Sequence, residues 1–269
     1  MPQPTSNRSL ENVVNLALSV RIVSLIVLLK RHSFIEVTSN LIGMTFMCFG
    51  PIASFSSAVV LTTIGTATIK KIRRKKDLLF ASLPLLFGAH QMAEGFLWLS
   101  FRNNTLANYR SFFTLIFLVV AFFFWPFYVP LSIYLLEDNK QRKRLILVLV
   151  FLGLCLGSYL LLSFLSETWA ASVVNCSIYY HFTIPGHEVL LALLYLAVTF
   201  GPFLISSRKS VNHLGILNII FCAIAAYIYY TDFISVWCFF AAVLSTMIFL
   251  FFAHPTDNAA HLASVPIKK

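Results

Sequence analysis

The feature that most constrains this chain is a series of apolar runs, each about as long as a bilayer core is thick, joined by short loops of alternating charge. A helix needs about 20 apolar residues to cross the hydrocarbon. Such runs occupy Pro51–Ile69, Leu78–Phe101, Ser111–Leu136, Leu145–Leu165, Glu188–Ser206, Leu214–Tyr230 and Phe233–Ala253. The loops after the first, third and fifth runs, together with the C-terminal tail, hold fourteen Lys or Arg, from Lys70 and Arg73 through Lys140 and Arg144 to Arg208 and Lys269. The loops after the second, fourth and sixth hold two, Arg102 and Arg110. Basic loops stay on the cytoplasmic side. The pattern therefore predicts an all-α, polytopic seven-helix bundle in the cytoplasmic (inner) membrane, with its N-terminal side out and its C-terminus in. One missed span would invert every later loop and destroy the asymmetry.

Composition agrees. Of 269 residues, 59% are hydrophobic and 11% charged, and Phe alone occurs 27 times. Soluble domains are about one quarter charged, and a soluble fold of this size has no room to hide so much apolar surface. The net charge of +10 would suggest nucleic acid on a soluble surface. Here the basic residues lie between apolar runs, so the expected partner is the lipid bilayer and not nucleic acid. No phosphate-binding, dinucleotide, metalloprotease or hydrolase-elbow motif is present.

Three segments follow. Residues 1–46 are an N-terminal extension or the result of a start placed too far upstream; within them Val13–Leu29 fits an extra span, an uncleaved signal-like segment or an amphipathic surface helix, and Arg21 inside its apolar run favours the last. Residues 47–253 are the membrane domain, and 254–269 a polar cytoplasmic tail. The Trp125-Pro126 and Pro130 prolines predict a kink in the third run.

The second run carries Glu94, the only acid well inside an apolar stretch. A charge there is costly, so an intramembrane acid marks a functional site by default. Helical spacing puts Phe87, His90, Gln91, Glu94 and Trp98 on one face, which should look into the protein. At 1.5 Å per residue, Glu94 lies roughly 10 Å from the outer end of its helix. Cys238 and Trp237 fall at a similar level in the last run, Cys48 precedes the first, and His181 and His187 lie in the long outer loop. The expectation is an outward-facing polar and aromatic pocket built from Glu94, Gln91, His90, Trp98, Cys48, Trp237 and Cys238. His90 and Glu94 have metal-ligand spacing, but one pair falls short of the three protein ligands that zinc sites need, unless His181 or His187 joins them. Cys48 paired with Cys238 or with Cys176 would make an outer disulfide; free thiols fit equally well.

Two blocks beyond the Glu94 stretch carry a resemblance. Met47-Cys48-Phe49-Gly50 opens the membrane domain, Pro84 to Trp98 (PLLFGAHQMAEGFLW) forms its second run, and Ser235 to Ser245 (SVWCFFAAVLS) its last. Together they resemble an uncharacterised bacterial seven-span membrane family with a domain of unknown function, whose members open near Met-Cys-Phe-Ser. The matching positions are Cys48, Gln91, Glu94, Gly95, Trp98, Trp237 and Cys238. Gly50 stands where the family has Ser, and His90 where it has Gln. The resemblance implies no activity, and it places residues 1–46 ahead of the family-like start.

Three functions compete. A binding protein needs only the outward pocket and a small-molecule or lipid-like ligand. An intramembrane, hydrolase-like enzyme needs a catalytic set that the sequence does not complete. A transporter usually shows paired half-helices or a repeat, and neither is visible. No cofactor and no oligomeric state can be read from the chain.

Overall fold

The computed structural model describes residues 50–166, 168–174, 177–182, 186–228 and 233–253. The expectations for residues 1–46, for Cys48 and Cys176 and for the 254–269 tail lie outside these residues, as do the side chains of Trp237 and Cys238. The helices are α1 (Pro51–Ile69), α2 (Leu78–Ala81), α3 (Leu83–Arg102), α4 (Arg110–Val119), α5 (Trp125–Leu136), α6 (Lys140–Ser166), α7 (Glu188–Ile205), α8 (Lys209–Ile228) and α9 (Phe233–Ala253). Among the described residues, three stretches are long and apolar enough to cross a membrane: Pro51–Ile69, Asn104–Leu136 and Lys140–Ser166. Each helix packs on a neighbour, and α9 returns to α1 and α3. Large apolar side chains point outward along the bundle, among them Val59, Phe151, Leu162 and Leu193.

Two expectations are corrected. Leu78 to Phe101 is not one helix. Pro84 has no N–H to give the Phe80 carbonyl, so the chain breaks at Ser82 and restarts as α3 with proline in its first turn. The fold is also not purely helical. The loop between α6 and α7 contains an antiparallel hairpin, β1 (Ala170–Val174) on β2 (Ser177–His181), with Ala171 opposite Tyr180 and Val173 opposite Ile178. Its Val, Ile and Tyr residues suit a pleated, half-buried surface. Successive strand residues face opposite sides. Ile178 and Tyr180 are accordingly buried, while Tyr179 and His181 are exposed.

The third run is interrupted by a π turn just ahead of its prolines. Between α4 and α5 the helix opens into a π turn, Val120–Phe124. In that geometry Pro126 would donate to the carbonyl five residues earlier, and proline has no proton to give. The Ala121 carbonyl instead accepts the Tyr195 hydroxyl from α7 at 2.7 Å. Two glycines of α6, spaced Gly153-x-x-x-Gly157, let this distorted helix come close. A Cβ on Gly153 would sit 1.9 Å from the Pro126 carbonyl oxygen, and one on Gly157 2.8 Å from that of Phe123. Small residues at such spacing allow backbones to touch. The same device joins α1 to α3, where a Cβ on Gly65 would meet the Leu85 backbone nitrogen at 2.5 Å.

Buried apolar residues fall into two clusters. One contains Phe80, Trp125, Ile133, Ile146, Phe203 and Leu244. The other contains Trp98, Phe117, Leu160, Phe164, Ile178 and Tyr180.

Candidate functional site

Helix α3 carries the polar face that the sequence singled out. His90, Gln91, Glu94 and Trp98 are all buried, Glu94 at 1% exposure, whereas Ala89 and Phe96 face outward. The stripe therefore looks into the bundle. It lies against both clusters at once. Phe87 stacks on Trp125 of the first cluster at 4.1 Å, and His90 packs on Phe117 of the second at 4.2 Å.

The hydrogen bonds of His90 define its tautomer. A carbonyl only accepts, so Nε2 donates to the Phe117 oxygen at 3.2 Å. An indole N–H only donates, so Nδ1 accepts from Trp125 Nε1 at 3.4 Å. Both ring nitrogens are committed within the protein, and neither offers a lone pair to a metal ion. His181 does not join the ring: it sits on the exposed face of β2, where Nε2 pairs with Ser172 Oγ at 2.8 Å. Its neighbour Tyr180 is the residue that enters the bundle, stacked on Phe117 at 4.6 Å. Among the described residues no group of three His, Cys, Asp or Glu side chains comes together.

One turn beyond Glu94 stands Trp98, at 3% exposure. Its Nε1–H is buried and, among the described residues, has no acceptor. A buried donor without a partner is uncommon in a native structure and calls for a physical reason.

A second polar centre lies at the other end of the bundle, and sequence reasoning missed it. Glu137 looked like one acid of a basic loop. It is buried at 1% exposure. Its Oε1 accepts the Asp138 and Asn139 backbone N–H groups at 3.1 and 2.8 Å, and Oε2 accepts Ser206 Oγ at 3.0 Å. Arg142 crosses the same gap to donate to the Ile205 and Ser206 carbonyls at 3.0 and 2.7 Å, and Asn212 caps the Phe203 carbonyl at 2.7 Å. Beside it, Asp138 takes Arg208 at 2.9 Å, Arg74 at 3.4 Å and Lys76. Burial raises the Glu137 carboxyl, but the Ser207, Asn139 and Ser206 donors more than offset this and hold it below the usual range. Asp138 also ends below its usual range: burial raises it, and Lys76, Arg208 and Arg74 outweigh that. The only sequence signal was the position of Glu137, directly after an apolar run and two residues before Asn139, which caps α6 through the Gln141 and Arg142 N–H groups.

A family of unknown function (DUF6629) has a model that matches residues 47–263. The chain belongs to this family. The match begins at the Met47 boundary that the sequence suggested and covers both polar centres. No curated protein matches the chain, and no solved structure does.

Proposed function

We propose that the protein is a seven-span membrane protein of the cytoplasmic membrane, N-terminal side out and C-terminus in. In this reading it holds an apolar, lipid-like ligand whose single hydrogen-bond acceptor faces the Trp98 indole beside Glu94. The observation that carries the reading is the buried, unpartnered Trp98 Nε1–H on the Glu94 face. Leaving such a group unpaired costs about 1–3 kcal/mol, and a bound acceptor would remove that cost. Trp98 stands near the outer end of α3, so the ligand enters from the outer side. Gln91 lines the same buried face of α3. The enzyme reading is weaker, because both ring nitrogens of His90, beside Glu94, are already committed within the protein.

The test uses the purified full chain. Mass spectrometry of the organic extract should find a lipid-like molecule at near one per protein. Trp98→Phe keeps the ring and removes only the N–H. It should retain several-fold less of that molecule while the ligand-stripped protein melts no lower than the parent. Equal retention by parent and variant, or an extract with no defined molecule, would overturn the reading.

A further inference from the structure

The inner end of the bundle carries more cations than its own carboxylates can use. Asp77 is taken by Arg74 at 2.8 Å, Glu137 by the two serines and backbone N–H groups, and Asp138 by Arg74, Lys76 and Arg208. Asp138 thereby draws the loop after α1, the start of α6 and the start of α8 into one surface. The same segments carry the exposed side chains of Lys71, Arg73, Lys75, Lys140, Arg144 and Lys209, and none of these has a carboxylate within ion-pair distance among the described residues. On α6 the charge continues directly into apolar surface. Arg144, Val148 and Leu152 follow at four-residue steps, and Val148 and Leu152 are 55% and 47% exposed.

We propose that this face binds the headgroup of an anionic phospholipid, with the acyl chains lying along the outer side of α6. The inference rests on the membrane reading above but not on the Trp98 ligand. Clusters of four to eight cations at the inner end of a membrane helix attract anionic lipid by charge. The apolar strip below Arg144 selects an amphiphile over free phosphate, since a soluble anion has no use for Val148 and Leu152.

The experiment is native mass spectrometry of the full chain, released from bilayer discs that contain equal phosphatidylglycerol and phosphatidylcholine. The parent should retain phosphatidylglycerol preferentially. Replacing Lys71, Arg73, Lys75, Lys140 and Arg144 by Gln breaks none of the ion pairs above. It should cut that retention at least about tenfold without lowering the melting temperature. Millimolar inorganic phosphate should leave it unchanged. Equal retention of the two lipids overturns the proposal, as does unchanged retention in the variant. Displacement by phosphate would make this a free-anion site and overturn the lipid assignment. A chain that enters no bilayer of either composition overturns the membrane reading beneath it.

Discussion

Ser207 gives Glu137 both of its donors: its backbone N–H lies 2.7 Å from Oε2 and its hydroxyl 2.5 Å from Oε1, across seventy residues of sequence. The carboxylate thereby fastens the end of α5 to the turn between α7 and α8. Glu137→Gln keeps the size but replaces one acceptor oxygen with an amide that opposes these donors. It should cost about 2–3 kcal/mol, read as a melting temperature several degrees lower. Ser207→Ala leaves the backbone bond in place and should cost less. The folded carboxyl titrates below its ordinary value of 4.5. Its contribution is therefore fully present above that pH and is lost as pH falls through the lowered value. Thermal unfolding of the parent between pH 7 and pH 3 should show that loss, and Glu137→Gln should show less of it. A variant that melts like the parent at pH 7 would remove the fastening role.

His90 needs one donor toward Phe117 and one acceptor toward Trp125. A glutamine offers both from a single amide. His90→Gln should fold with a melting temperature close to the parent. His90→Leu leaves the Trp125 N–H without its acceptor, while the Phe117 carbonyl keeps the Val120 N–H, and should cost about 1–3 kcal/mol. Equal melting of the two variants would mean that the ring acts by packing alone.

Gly153 has no room for a methyl group, because the obstacle is the Pro126 backbone carbonyl. At Gly201 a new Cβ would meet the end of the flexible Leu149 side chain at 3.1 Å. Gly153→Ala should therefore sharply reduce the yield of folded protein, whereas Gly201→Ala should be tolerated. Size-exclusion profiles of the detergent-purified variants compare the two directly.

Glu94 separates a charge-dependent role from a packing role. Glu94→Gln keeps the shape and a hydrogen-bonding group, so folding should change little. Ligand retention should fall if the carboxyl group itself is used. Glu94→Leu removes every polar atom from a site at 1% exposure and should destabilise by about 1–3 kcal/mol. Retention of ligand by Glu94→Gln equal to that of the parent would make the acid structural.

The seven-span order can be read by reporter fusions. Fusions after Lys76 and Arg144 should report a cytoplasmic location, and fusions at Asn104 and Ser177 an external one. A cytoplasmic signal at Ser177, inside the hairpin, would break the order.

The positions of the helices were legible in the chain itself, because apolar runs, prolines and basic loops act locally. The same was true of the inward turn of the Glu94 face, since helical spacing alone puts His90, Gln91 and Trp98 beside it. Tertiary structure decided what those residues do. His90 became a donor and an acceptor only when α4 and α5 brought Phe117 and Trp125 against it. The π turn left the Ala121 carbonyl for Tyr195, a partner 74 residues away. Strand alternation turned Tyr180 inward and His181 outward, which no composition of the loop between α6 and α7 could indicate. Glu137 was hidden most completely: in sequence it is one acid beside lysines and arginines. The Asp138 and Asn139 N–H groups are local donors, and the approach of Ser206 and Ser207 supplied the others that let a carboxylate be buried there.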